Sequence, residues 1–230
     1  MGISLCAVGA AFAEDPGQGK LPPTAEEQKA LTPKAVLKDL LAGNKRYAKG
    51  QLSEPNVVKR VKATSSGQYP KAYILSCVDS RVPVEQVFDQ GIGDIFVGRV
   101  AGNVESGEQL GSIEFATKVA GAKLVLVLGH EACGAVKGAC DHVELGNLTG
   151  LLKQIRPAVE AVEGFKDEQR NSKDSEFVEA VIEKNVRLTL ADLRKRSPLL
   201  AEMEKAGEIM IVGGLYSLHD GKVRILKERS

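Results

Sequence analysis

The chain has 230 residues with 43% hydrophobic content, enough for the core of one α/β domain and too little for a large multidomain assembly. Its 31 basic and 30 acidic residues leave a net charge of +1 with no long single-sign block, which excludes an electrostatic footprint for nucleic acid or acidic lipid. The absence of Trp and an aromatic content of 4% exclude a stacking platform for bases or sugars, and no apolar run is long enough to cross a membrane.

The first element is the apolar run "ISLCAVGAAFA", which ends in Ala11-Phe12-Ala13. A small-x-small ending followed by polar, Pro/Gly-rich chain is a signal-peptidase pattern. Residues 1–31 are therefore expected to be a cleavable signal-like segment and a flexible leader, with mature chain from near Glu14. That reading implies a periplasmic or secreted protein. Without the basic start of a full signal, the alternative is an ordinary N-terminal helix in a cytoplasmic one. Residues 32–230 are expected to form a single domain.

Thr32 as N-cap and Pro33 at the first helical position open an amphipathic helix, with Val36, Leu37, Leu40, Leu41 and Tyr47 on one face. "KAYILSC" and "DIFVGRVAG" read as short strands, the first apolar enough to be buried on both faces. "SGEQLGSIEFATKVAG" is a helix stopped by Gly121. "KLVLVLGH" is the clearest strand, and "EACGAVKGACDHV" starts a further helix. Two longer helices follow, "GLLKQIRPAVEAVEGF" and "SEFVEAVIEKNVRLTLADLRKRSPLL", separated by the charged loop "KDEQRNSKDS". "EIMIVGGLYSL" and "KVRIL" close the chain as a strand pair around "HDG". Strands alternating with helices predict an α/β fold: a mostly parallel central sheet of four strands, an added antiparallel edge strand, and helices on both faces.

Open α/β sheets place ligand sites beyond the carboxyl ends of their strands. Cys77 ends one apolar strand, His130 ends another, and Cys133 follows at a helix start. Parallel strands bring these residues to one sheet edge. Two cysteines and a histidine are a zinc set that leaves a fourth position for water. With Cys140, the body of the chain has three cysteines, a poor disulfide framework; a metal would protect two of them in an oxidising compartment. Asp79 and Arg81 sit two and four residues past Cys77. They read as a solvated turn pair, as an outer pair in which Arg81 keeps Asp79 ionised to orient the nucleophile, or with Asp79 as a fourth metal ligand.

"CVDSR" followed about fifty residues later by "GHEACG" resembles the signature of the β-class carbonic anhydrases, and "GGLYSLHDGKV" resembles that family's closing strands. The resemblance implies one Zn2+ per subunit on Cys77, His130 and Cys133, with Asp79 and Arg81 as catalytic dyad. It implies reversible hydration of CO2 to bicarbonate and a proton, by hydroxide held on zinc. It also implies a homodimer or homotetramer whose sites lie at a subunit interface. Gln68, in "GQYPK", matches a substrate-pocket glutamine contributed within or across that interface; Phe96 and Gly134 match other pocket positions. Two departures stand out. Phe115 stands where some members carry a pocket Tyr, and Ile74 stands where bicarbonate-regulated members carry a Trp beside the equivalents of Arg99 and Tyr216. Hydrolysis of CS2 or COS on the same scaffold, a non-catalytic zinc-stabilised protein, and a Cys77–Cys133 redox dithiol are the rival readings. His142 and His219 are candidates for the proton shuttle by residue type alone.

Overall fold

The computed structural model describes residues 21–53 and 55–227. The apolar run expected as a signal lies outside those residues. In chain order the elements are α1 (Ala25–Ala30), α2 (Pro33–Tyr47), α3 (Val57–Thr64), β1 (Ala72–Ser76), α4 (Val84–Val87), β2 (Ile95–Arg99), α5 (Gly107–Glu114), β3 (Leu124–His130), α6 (Gly134–Cys140), α7 (Gly146–Glu160), α8 (Ser175–Arg196), α9 (Pro198–Lys205), β4 (Met210–Tyr216) and β5 (Val223–Ile225).

The sheet runs β2-β1-β3-β4-β5. The first four strands are parallel, and β5 pairs antiparallel with β4. This is the expected architecture. The register aligns Ser76 with Leu128 and carries β3 two residues further, to His130. Side chains alternate across the sheet, as the two-residue period of a strand demands. Tyr73, Leu75, Val125 and Val127 face one side, against Leu110 and Ile113 of α5, Leu193 of α8 and Leu200 of α9. Ala72, Ile74, Leu124, Leu126 and Leu128 face the other, against Val36 and Leu40 of α2 and the Val84–Phe88 segment. A third cluster beyond the strand ends packs Cys77 and Cys133 among α6, α7 and α8. Fully burying each Leu or Ile stabilises the fold by roughly 1.5–3 kcal/mol. Helix α8 lies close on the sheet because Gly129 and Gly213 face it; a Cβ at either would meet Val186 at 2.7 Å.

Thr32 caps α2 as expected, accepting from the Ala35 N–H at 3.2 Å. Three differences from the sequence reading have local causes. First, the segment assigned to a flexible leader contains α1, closed by a Thr24–Glu27 capping box. Gln28 of α1 is buried and donates to the Pro70 and Ala120 carbonyls at 2.8 and 2.7 Å, so the folded chain begins ahead of Thr32. Second, α5 does not continue regularly to Gly121. Phe115–Val119 widens into a π-turn in which the Thr117 hydroxyl bonds the Ile113 carbonyl at 2.8 Å. Third, the last long helix is two, broken at Ser197, which caps α9 ahead of Pro198. No helix among the described residues is long and apolar enough to cross a membrane.

Candidate metal centre

Strands β1 and β3 are adjacent and parallel, so both end at one edge of the sheet. Cys77 follows β1, His130 is the last residue of β3, and Cys133 caps α6. Their ligand atoms all lie within 4.8 Å of one another, and all three side chains are buried. The two sulfurs are 4.0 Å apart. A tetrahedral ion about 2.3 Å from each sulfur would hold them about 3.8 Å apart.

The imidazole is aimed by its neighbour. Nδ1 of His130 donates to the Glu131 carbonyl at 2.9 Å, which leaves Nε2 with a lone pair. That Nε2 is buried with no hydrogen-bond partner in the protein. A stranded buried nitrogen costs about 1–3 kcal/mol, and a metal would relieve it. The donor set, its spacing and this unmatched nitrogen fit zinc.

The sulfurs are electrostatically unequal. The Cys77 thiol is drawn well below its ordinary value by a hydrogen bond from Cys133, with the Gly102 and Asp79 N–H groups adding to it against the opposing effect of burial. The same contact and deep burial push the Cys133 thiol up.

Asp79 stands beside this group. Its Oδ2 is 3.9 Å from His130 Nε2. Both oxygens are engaged by Arg81: Oδ1 accepts from the backbone N–H and Nε at 3.0 and 2.9 Å, and Oδ2 accepts from Nη2 at 2.7 Å. The Arg81 hydrogen bonds hold the Asp79 carboxyl well below the usual carboxylate range, against a smaller effect of burial. Arg99, at the end of β2, donates to the Cys77 and Asp79 carbonyls at 2.9 and 2.6 Å and so clamps the turn that carries both residues.

The pocket residues expected from the sequence divide. Gly134 adjoins Cys133 at the start of α6 and faces open space. Gln68 is exposed and precedes β1, whereas Cys77 follows it; five residues of strand alone span about 17 Å. Phe96 pairs with Tyr73 in the first half of β2, and its ring packs on Phe115 at 6.2 Å. Gln68 and Phe96 therefore sit toward the opposite ends of their strands from Cys77. Ile74 is a core residue, Arg99 is occupied by backbone carbonyls, and the Tyr216 hydroxyl is 3.0 Å from that of Tyr47. His142 is exposed, and the His219 side chain is 91% exposed.

A family model described as carbonic anhydrase matches residues 72–223. Carbonic anhydrase 2 of Mycobacterium tuberculosis is 39% identical over 196 residues, which cover 83% of this chain and 91% of that protein. The chain belongs to the β-carbonic anhydrase family. It is therefore a carbonic anhydrase, a lyase. Solved β-carbonic anhydrases share its fold. One from Aspergillus fumigatus superposes with a TM-score of 0.64 at 24% identity, covering 86% of this chain and 91% of its own. One of two tetrameric β-carbonic anhydrases from Sordaria macrospora superposes with a TM-score of 0.62 at 21% identity, covering 84% of this chain and 94% of its own.

Several contacts in this carbonic anhydrase escaped the sequence reading: Arg99 on the Cys77–Asp79 turn, Gly102 on the Cys77 sulfur, and Glu179 on the His130–Cys133 loop. The glycine after β2, in "RVAGN", was the available signal, since a lone Gly at a strand end marks a left-handed turn or a close backbone approach.

Proposed function

We propose that this carbonic anhydrase hydrates CO2 reversibly to bicarbonate and a proton at a zinc ion held by Cys77, His130 and Cys133. The convergence of those three ligand atoms within 4.8 Å, at the edge where β1 and β3 end, carries the reading. Zinc bound there supplies a Lewis acid that makes a water acidic enough to act as nucleophile near neutral pH.

The protein's own groups do the rest. Cys77 and Cys133 contribute two sulfur ligands, so the site is richer in negative charge than one of three imidazoles and its activity rises toward alkaline pH. Glu131 fixes the His130 tautomer through its carbonyl. Asp79 stays ionised and acts as a hydrogen-bond acceptor that orients the nucleophile. Arg81 keeps it ionised and in place, and the engagement of both Asp79 oxygens by Arg81 supports this role over direct ligation. Val104 and Val136 share the buried cluster of the cysteines and keep that side of the centre apolar. A second copy of the chain supplies Gln68 and Phe96 to the pocket in a homodimer or larger homo-oligomer; their distance from the cysteines within one subunit supports that assignment.

Zinc analysis paired with stopped-flow CO2 hydration across pH tests the reading. One zinc per subunit and activity rising with pH are expected for the wild type, and loss of zinc for Cys77→Ser and His130→Ala. Full zinc occupancy in either variant would remove that residue from the ligand set. Zinc without CO2 hydration would favour another small linear substrate or a structural metal.

A further inference from the structure

Behind the ligands, one helix holds both loops that carry them. The Gly102 N–H donates to the Cys77 sulfur at 3.3 Å. Gly102 sits in the turn after β2 at φ +71°, a conformation that suits glycine, and a Cβ there would meet Ile155 of α7 at 2.5 Å. The Gly102 carbonyl accepts from Asn185 Nδ2 of α8 at 2.8 Å. Two turns earlier on α8, Glu179 accepts the Ala132 N–H at 3.0 Å; Ala132 lies between His130 and Cys133 at φ +51°. Asn185 is 3% exposed in the middle of a 22-residue helix. Asparagine is a weak helix former, and its amide is costly to bury, so its place there calls for a partner; that partner is Gly102.

We propose that Asn185 is a positioning residue for the metal centre: by gripping Gly102 it aims that N–H at the Cys77 sulfur and thereby sets the affinity and thiolate character of the metal site. The inference rests on the ligand reading above. A hydrogen bond to a ligating thiolate draws charge from the sulfur and fixes its direction, and losing such outer support typically weakens metal binding 10–100-fold. No catalytic contact by Asn185 is involved.

The test uses full-length wild type, Asn185→Asp, which keeps the shape but cannot donate to Gly102, and Asn185→Leu, which removes the amide. Each is stripped of metal and titrated with zinc against a competing chelator, reconstituted with cobalt(II) for its sulfur-to-metal absorption bands, and melted with and without zinc. The expected result is zinc affinity about 10-fold lower or more in both variants. Shifted cobalt–thiolate bands and a smaller zinc-induced rise in melting temperature than in the wild type accompany it. A residue that only staples α8 to the loop would lower metal-free and zinc-loaded melting alike while leaving affinity and bands unchanged; that outcome overturns the inference. Should neither variant fold, the wild type still decides. Its Gly102 amide proton resonance is expected to move when cadmium replaces zinc, and no movement overturns the inference. A wild type that binds no zinc overturns the ligand reading itself.

Discussion

Replacing Asp79 by Asn separates chemistry from stability at this site. The carboxylate accepts three hydrogen bonds from Arg81, at 3.0, 2.9 and 2.7 Å. Asparagine keeps one acceptor oxygen and turns the other into an NH2 donor that meets an Arg81 donor. One charge-assisted bond and the ion pair are lost. The Arg81 side chain is 53% exposed, so water replaces much of what is removed, and the fold should lose no more than about 1 kcal/mol. The sign with pH is fixed by the depressed Asp79 carboxyl. Its pairing contributes fully above the ordinary carboxylate pKa of about 4 and is lost as pH falls through the lower folded value, so wild type and variant converge in strong acid. Catalysis suffers more. An oriented acceptor of the nucleophile's hydrogen bond is worth about 10²–10³-fold, or roughly 2.7–4 kcal/mol of barrier. The assay is stopped-flow CO2 hydration per bound zinc, beside urea denaturation across pH. A zinc-loaded Asp79→Asn protein within threefold of wild-type rate would refute the reasoning.

Other expectations follow from the same geometry. Because its contact with Cys77 and deep burial push the Cys133 thiol up, zinc binding by metal-free protein near neutral pH should release protons. Calorimetry in buffers of different ionisation enthalpy counts them, and no release would contradict ligation by two cysteines. Gln28→Ala strands the buried Pro70 carbonyl and the partly buried Ala120 carbonyl, and should cost about 1–3 kcal/mol in urea denaturation with the rate per zinc unchanged. Gly43→Ala puts a methyl into the Phe88 carbonyl. Because backbone must give way, a loss of at least about 1–3 kcal/mol is expected, and an unchanged melting curve would show that α2 does not pack there as described.

The strands and the convergence of Cys77, His130 and Cys133 were legible because their signals are local. An unbroken apolar run marks β1 and β3, and Cys77, His130 and Cys133 announce themselves at the strand ends. The short helices were not. Six residues of α1 and eight of α3 are too few for a helical period to register, although Thr24 and Asn56 cap them. The π-turn at Phe115–Val119 leaves no mark in the helical pattern of its letters. Contacts around the loops that carry Cys77, His130 and Cys133 were also out of reach. Asn185 meets Gly102 across 83 residues, Glu179 meets Ala132 across 47, and Arg99 meets Cys77 across 22. Such partners become neighbours only when the sheet order is known. Gln68 and Phe96, given to the pocket by resemblance, lie toward the opposite ends of β1 and β2 from Cys77, which the letters alone do not reveal.

X-ray absorption at the zinc edge of the purified wild-type protein reads the ligands directly. The account predicts two sulfur scatterers at about 2.3 Å and a histidine nitrogen at about 2.0–2.1 Å, with one sulfur lost in any metal retained by Cys77→Ser. A first shell made of nitrogen and oxygen alone would contradict it.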